Sequence, residues 1–252
     1  MKLIMRADDL GLSEAINYGI LKSIKDGVIT CVGMMPNMKE AENGYKMIKE
    51  RHICIGQHTN ISVGKPICNP KDIPSLVQEN GDFCSSNEIR QRAYDTIVLK
   101  EAELEIEAQL NRFREITGKN PDYFEGHAVF SKIFFQALEN VARRNRLFYS
   151  NPVDKHWAKE YGIECAAFYH LDERGLYDIN KYIFEDEANI LDKKCAVLVF
   201  HPGYLDQYIL EHSSYTLIRP METAFLCSKE LKTWISDNQI QLVDFNNYKK
   251  DI

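Results

Sequence analysis

The sequence has 252 residues, of which 44% are apolar and 27% are charged, and its formal net charge is −6. This is the composition of an ordinary soluble globular protein, and because no block of five like charges occurs, nothing indicates a nucleic-acid or membrane surface. The opening MKLIMRADD is too short and too soon charged for a secretory signal, and no apolar run reaches the roughly 18–20 residues of a membrane span.

The seven cysteines form an odd set with no C-x-x-C pair. Several of them lie inside apolar strand-like runs, as in VITCVG and KKCAVLVF. This usage is typical of free, buried thiols in a reducing compartment. The sequence therefore predicts a cytoplasmic protein.

Strand-like and helical patterns alternate along the chain. The strand-like runs are KLIMRA, VITCVGMM, ICIGQHTNI, DYFEGHAVF, RLFYS, ECAAFYH, AVLVFHPG and IQLVDF. In the first predicted helix, apolar residues repeat every four positions from Leu12 to Ile24, with Ser13 as the N-cap and Gly27 as the stop. Further helices are predicted over residues 38–51, 87–117, 131–145, 178–193 and 220–237.

This alternation predicts the fold class. Strands that alternate with helices indicate parallel βαβ units, and continuous apolar runs are typical of strands buried on both faces. About eight such strands favour an irregular, TIM-barrel-like (β/α) barrel over an open sheet, so we predict a single α/β domain over residues 1–252. Residues 62–86, rich in proline and in glycine turns, are predicted to be a long loop that forms one wall of a site.

Residues capable of catalysis lie where four of the predicted strands end. Asp8 and Asp9 end the first strand, His58 the third and His127 the fourth, and His201 follows the seventh. Each of them alone is more often a turn or structural residue, but in a barrel all of these strand ends share one face. A carboxylate with two neutral imidazoles is a normal ligand set for a catalytic divalent metal. One aspartate would then bind the metal, and its neighbour would accept a proton from an activated water.

The same segments resemble the YdjC-like family of carbohydrate deacetylases, which includes chitooligosaccharide deacetylases of the ChbG type. The likeness covers nearly the whole chain and is carried by four ordered motifs: RADDLGLSEAINYGILKSIKDGVITCVGMMPNM, GQHTNISVGKPI, ELEIEAQLNRFREITGKNPDYFEGHAVF, and FHPGY followed by SSYTLIRPMETAFL. The resemblance implies an irregular (β/α) barrel and a metal-dependent hydrolase that removes the N-acetyl group from a sugar or oligosaccharide.

Carried over position by position, the resemblance implies that Asp9, His58 and His127 bind the metal and that Asp8 is the general base. It implies magnesium, although the imidazole ligands would also suit zinc or another transition metal. His201 matches the histidine of the H-P-G motif, and we expect it to be the general acid because histidine titrates near neutrality.

Four further residues are candidates for substrate binding: Lys65, Glu125, Tyr204 and Arg219. Two other functions stay open, namely a metal-dependent sugar or sugar-phosphate isomerase and a catalytically idle carbohydrate-binding protein on the same fold. The expected partner is an N-acetylated mono- or oligosaccharide, with no nucleic acid and no membrane. The sequence leaves the oligomeric state open, a homodimer included.

Overall fold

The computed structural model describes residues 1–249 and contains one sheet of seven parallel strands. The strands are β1 (Lys2–Leu10), β2 (Cys31–Met34), β3 (Cys54–Thr59), β4 (Phe124–Gly126), β5 (Glu164–Cys165), β6 (Cys195–Phe200) and β7 (Gln241–Val243). Their order across the sheet is β4-β3-β2-β1-β6-β5, and β7 pairs with the beginning of β1. Every residue of β1 after Lys2 is buried, as expected of a central strand covered on both faces.

Helices follow most of the strands. They are α1 (Glu14–Lys25), α2 (Ala41–Ile48), α3 (Ser86–Gln91), α4 (Leu99–Thr117), α5 (Lys132–Asn145), α6 (Lys155–Tyr161), α7 (Ile179–Phe184), α8 (Gln207–His212), α9 (Ile218–Leu226), α10 (Lys229–Asp237) and α11 (Phe245–Lys249). The predicted cap of the first helix is confirmed, because the Ser13 hydroxyl accepts the backbone N–H of Ile16. Across residues 1–249, every helix is too short or too polar to serve as a membrane span.

The predicted barrel is only partly correct, because the sheet is a curled half-barrel rather than a closed one. β4 and β5 are the two ends of the strand order, and within residues 1–249 no strand pairing joins them. The predicted strand RLFYS contributes a single bridge, from Tyr149 to Phe124, and ECAAFYH contributes only the two residues of β5. Edge segments as short as these pair on one side at most, so the sheet stays open between them.

The predicted helices are present, but two of the long ones are interrupted. The predicted helix over residues 87–117 is two helices, α3 and α4, separated by the non-helical residues 92–98. The predicted helix over residues 220–237 also consists of two helices, α9 and α10. The second begins after Ser228, whose side chain accepts the backbone N–H of Leu231. The shorter elements α2 and α7 occupy only parts of the segments predicted for them.

The segment between β3 and α3 has little regular structure but is packed against the protein. It contains one 3₁₀ turn, and three of its apolar residues, Ile73, Leu76 and Phe83, are buried in one cluster with residues of α4 and α5. The buried carboxylate of Glu105 on α4 accepts the backbone N–H of Ile67 at 3.0 Å. The middle of this segment is therefore part of the core.

Because the strands are parallel, β1, β3, β4 and β6 all end at one edge of the sheet, which we call the carboxyl edge. Asp8 and Asp9 lie near the end of β1, and His58 lies in β3. His127 directly follows β4, and its backbone N–H donates to the carbonyl of Thr59 at 2.8 Å. The fold thus brings the predicted ligands together from three separate segments.

Candidate metal centre

The end of β1 departs from regular strand geometry at the two adjacent aspartates. The pairing register with β2 shifts between Ala7 and Leu10, and Asp9 has a φ of 75°. In a regular strand, neighbouring side chains point to opposite faces of the sheet. This irregularity, like a β-bulge, re-aims a side chain, and both carboxylates come within reach of the His58 ring.

Asp9, His58 and His127 form a compact group of three possible metal ligands. Asp9 Oδ1 lies 3.3 Å from His58 Nε2 and 3.2 Å from His127 Nδ1, and the two nitrogens are 2.9 Å apart. With metal–ligand distances of about 2.0–2.2 Å, two ligands of one ion lie about 3–3.5 Å apart. Asp9 Oδ1 is buried, and the part of the chain that the structure describes offers it no hydrogen-bond donor of suitable geometry. The three atoms therefore fit one divalent cation.

The orientation of His58 is fixed by Glu125. His58 Nδ1 lies in a very short contact with Glu125 Oε1, so this nitrogen carries the proton and donates it. Nε2 faces Asp9 and His127, and it would bind a cation in place of its own proton. Burial lowers the pKa of His58, but the carboxylates of Glu125 and Asp8 outweigh that effect and raise the pKa well above its ordinary value. The same negative surroundings favour a cation.

Arg219 holds the second oxygen of Asp9. Its Nη2 donates to Asp9 Oδ2 at 2.8 Å, and its Nε donates to the carbonyl of Tyr215. Burial alone would raise the pKa of Asp9, but the charges of Arg219 and His127 hold it well below its ordinary value. Arg219 was predicted to bind substrate, and the structure instead buries it behind a candidate ligand. Its contacts orient Asp9.

Asp8 belongs to a buried ion-pair network. Its Oδ2 accepts a hydrogen bond from Arg6 Nη2 at 2.7 Å, and the same nitrogen lies 3.5 Å from Glu125 Oε2. Asp8, His58 and Glu125 are also close enough to one another to resemble a metal site, but the guanidinium of Arg6 already pairs with both carboxylates. Asp8 Oδ1 is buried and accepts no hydrogen bond from any of residues 1–249, so one acceptor remains free. A Cβ at Gly33 would lie 2.7 Å from this oxygen, so any larger residue there would displace the Asp8 carboxylate.

His201 follows β6 at the carboxyl edge. Its ring packs edge-on against Tyr215, with 5.0 Å between the ring centroids, and its Nδ1 is buried without a hydrogen-bond partner among the described residues. Burial lowers the pKa of His201 to about 4, although the charges of Asp9 and Asp8 oppose the shift. The imidazole is therefore neutral at pH 7.

Glu222 lies on the same helix as Arg219 and holds the backbone of His201. One carboxylate oxygen accepts the backbone N–H of His201, and the other accepts the Tyr177 hydroxyl at 2.9 Å. Burial raises the pKa of Glu222 to about 7, and these hydrogen bonds oppose the rise. Glu222 therefore positions the polypeptide around the candidate metal centre.

Two of the remaining substrate-binding candidates, Lys65 and Tyr204, have no contact with this cluster within residues 1–249. Lys65 and Tyr204 are exposed, and both are held through their backbones. The Lys65 carbonyl accepts the Asn37 side chain, and the Tyr204 N–H donates to the carbonyl of Ala15. Glu125, the fourth candidate, is occupied by its contact with the ring of His58.

Two residues of the site had no role in the sequence-based prediction. Arg6 could have been found, because residues two apart in a strand point to the same face, which puts Arg6 beside Asp8. Glu222 lies three residues after Arg219 in the R-x-x-E segment, and that spacing places the two on one side of a helix. Neither signal identifies the partner, which comes from another segment of the chain.

The contact between Glu125 and His58 predicts that Glu125→Gln weakens metal binding about 10- to 100-fold, the usual cost of removing a partner behind a ligand. Glutamine keeps an acceptor oxygen but removes the charge that holds the His58 tautomer. Titration against a chromogenic chelator measures the effect. Glu103→Gln, a change of the same chemistry on α4, is the matched control. Unchanged metal affinity with a raised KM would support the substrate-binding role predicted from the sequence.

Comparison with known proteins reveals relatives over the whole chain. The family described as YdjC-like protein matches residues 2–237. Carbohydrate deacetylase 2 of Listeria innocua is 31% identical, with 99% of this chain and all of that protein covered. A carbohydrate deacetylase of Geobacillus stearothermophilus is 30% identical, with 98% of each chain covered.

Solved structures share the fold. A protein of Enterococcus faecalis described as a cellobiose-phosphate cleavage protein superposes with a TM-score of 0.82 at 23% identity, over 98% of each chain. A peptidoglycan N-acetylglucosamine deacetylase has a TM-score of 0.51 at 13% identity, over 96% of this chain and 85% of that one. At these identities the likeness describes the fold alone.

Proposed function

This chain belongs to the YdjC-like protein family, and on that premise we propose that it is a metal-dependent carbohydrate deacetylase. Such an enzyme hydrolyses the C–N bond of an N-acetyl group on a sugar or oligosaccharide and releases acetate and a free amine. The observation that carries the proposal is the cluster of Asp9, His58 and His127 at the carboxyl edge. The names of its relatives, which cover nearly the whole chain, support the substrate class.

Asp9, His58 and His127 are the proposed ligands of one divalent cation. When bound, the cation would supply Lewis-acid activation of the acetyl carbonyl and of the attacking water. The resemblance implies magnesium, whereas two imidazole nitrogens with one carboxylate are a donor set that zinc and other transition metals favour. Arg219 and Glu125 keep Asp9 and His58 in the orientation that binding requires.

Asp8 is the proposed general base, with its free Oδ1 as the acceptor of the water proton. Arg6 holds the other oxygen of Asp8 and so fixes the orientation of the carboxylate. The leaving nitrogen needs one proton, and His201 is the group proposed to deliver it. Because His201 is neutral at rest, it would first take up the proton that Asp8 accepted from the water and then pass it to the leaving nitrogen. Water is thus split between acetate and the amine, and the proton balance closes.

Acetate release tests this proposal directly. The protein is stripped with a chelator, reloaded with magnesium, zinc, manganese or nickel, and incubated with N-acetylated mono- and oligosaccharides. We expect equal amounts of acetate and free amine, and only after reloading. A new sugar without acetate would instead indicate an isomerase, and binding without turnover would indicate an idle carbohydrate-binding protein. A preparation of His127→Ala made in parallel controls for contaminating activity.

We also propose that Lys65 contacts the substrate, because the loop that carries it begins beside the site. Asn60, the first residue after β3, accepts the backbone N–H groups of Ser62 and Val63 through its side chain, which anchors the beginning of the loop. Five residues after Asn60, the Lys65 side chain is exposed. A lysine ammonium at this point can donate to the hydroxyl oxygens of a sugar.

Lys65→Met is therefore expected to raise KM about 10-fold, the effect of losing one hydrogen bond from a charged donor, with kcat and metal content unchanged. Steady-state kinetics of acetate release measure it. Lys71→Met, at an exposed lysine of the same loop, is the control. Shortening the loop would be a poor test, because Ile73 and Leu76 are buried and their removal would damage the core. An unchanged KM would remove Lys65 from the substrate site.

A further inference from the structure

Two phenylalanine side chains stand out on the surface of the protein. Phe130 is 66% exposed and Phe168 is 69% exposed. Their rings contact each other at an angle of 79°, with 6.2 Å between the centroids. We call this pair the aromatic platform. Exposed apolar side chains scattered singly are normal, whereas a contiguous exposed pair of rings marks an interaction site.

The platform lies close to the candidate metal centre. Phe130 is three residues after His127, and since each residue spans at most about 3.6 Å, their Cα atoms are within about 11 Å of each other. The connecting segment is a tight turn, in which Ala128 has a φ of 51°. Phe168 is on the segment that follows β5, and it too leaves the sheet at the carboxyl edge.

The protein holds the platform in place from behind. Phe135 of α5 packs edge-on against Phe130, with 6.2 Å between the ring centroids. The hydroxyl of Ser131, the next residue after Phe130, donates to Asp95 at 2.5 Å and caps α5 by accepting the backbone N–H of Phe134. Phe130 is thus held by the ring of Phe135 and by the anchored residue Ser131, while most of its own ring is exposed to solvent. This is the arrangement of a binding surface rather than of a frayed loop.

We propose that Phe130 and Phe168 bind the part of an N-acetylated oligosaccharide that extends beyond the sugar unit at the metal centre. This inference rests on the proposed function and adds to it a preference for chains over single sugars. The C–H bonds of a pyranose form apolar faces, which pack on the electron-rich faces of aromatic rings. Since neither ring carries a charge or a polar atom, contacts of this kind suit a neutral sugar chain.

The position of the platform favours a substrate over a second copy of this chain. His127 is a proposed ligand, and its side chain is only 13% exposed. A protein docked on Phe130 would lie over the approach to His127 and close the site. A sugar chain running from the metal centre across Phe130 needs no such closure, and it uses the platform and the centre at once.

The platform predicts that Phe130→Ala and Phe168→Ala each lower kcat/KM about 3- to 10-fold for a tetrasaccharide of N-acetylated hexosamine, the range expected for loss of one aromatic contact. Activity on the N-acetylated monosaccharide should stay within about 2-fold, since binding energy from remote parts of a substrate is absent there. Both side chains are mostly exposed, so neither substitution removes core packing. Leu104→Ala, at an exposed apolar residue of α4, is the matched control.

Calorimetric binding of the tetrasaccharide separates this inference from the proposed function. The wild-type protein could bind the tetrasaccharide without releasing acetate while both variants lose that affinity. This result would support sugar binding at the aromatic platform and contradict the deacetylase proposal. Equal losses on the mono- and tetrasaccharide, or no loss on either, would overturn the platform. So would a wild-type dimer that becomes monomeric in both variants with unchanged kinetics, because the platform would then be a contact between copies. Absence of both binding and turnover in the wild type would overturn both proposals.

Discussion

The Asp9→Ala variant is expected to lose its bound metal and its acetate release together. Asp9 supplies the only carboxylate oxygen of the proposed ligand set, and its other oxygen is held by Arg219. Loss of a partner behind a ligand already costs about 10- to 100-fold in metal affinity, so loss of the ligand itself should exceed about 100-fold. Metal analysis after gel filtration and the acetate assay measure the two effects on one sample.

Two parallel variants separate metal loss from unfolding. Asp9→Ala also leaves the buried Arg219 without its partner, and an uncompensated buried charge costs about 3–5 kcal/mol. His127→Ala avoids this problem, because its side chain is partly exposed and its removal strands no charge. His156→Ala, at a histidine whose side chain is 91% exposed, controls for histidine removal as such. Full metal content and normal turnover in a folded His127→Ala protein would show that the ligand set is wrong.

The strand and helix patterns predicted most elements of the fold but not where they stop. The break between α3 and α4 depends on distant residues: the backbone N–H of Val98 donates to the hydroxyl of Ser75, and Asp95 accepts from Ser131. These bonds satisfy polar groups of residues 92–98 without a helix. The helical periodicity of apolar residues depends only on the local sequence, so it predicts one continuous helix across such a break.

Closure of the barrel could not be predicted for a similar reason. RLFYS and ECAAFYH have the composition of strands, and composition describes how well a residue fits a half-buried pleated surface. Whether such a segment has a neighbouring strand to pair with depends on the arrangement of the whole sheet. Tyr149 pairs with Phe124, and β5 pairs with β6. Because the structure of residues 1–249 contains no pairing between these two segments, the sheet remains a half-barrel.

At the site, the sequence predicted which candidate ligands lie together better than which residues contact them. Parallel strand ends meet at one edge, and that rule predicts that Asp9, His58 and His127 lie near one another. The contact of Arg219 with Asp9 joins residues 210 positions apart, and nothing in the local sequence pairs them. Residues that orient ligands are chosen by the geometry of the folded chain, which is why Arg219 was assigned to the substrate.

Asp8→Asn is expected to keep the metal but to lower kcat about 10²- to 10⁴-fold, the usual contribution of a general base. Asparagine preserves the size of the side chain and can still accept the hydrogen bond from Arg6, while its amide cannot take up a proton. The adjacent ligand Asp9 is unchanged in this variant. Single-turnover acetate release measures the chemical step, and chelator titration measures the metal affinity.

The contrast between Asp8 and Glu125 gives this experiment its discriminating power. Both carboxylates share the guanidinium of Arg6, and both lie near His58 Nδ1, with Asp8 Oδ2 at 3.9 Å. Glu125 makes the hydrogen bond to that nitrogen, so its loss should act through metal affinity. Asp8 leaves an oxygen free, so its loss should act on kcat. Asp26→Asn, at an exposed carboxylate, controls for the change of charge. Normal turnover in Asp8→Asn would make Glu125 the next candidate for the base, whereas loss of metal would place Asp8 among the groups that hold the ligands.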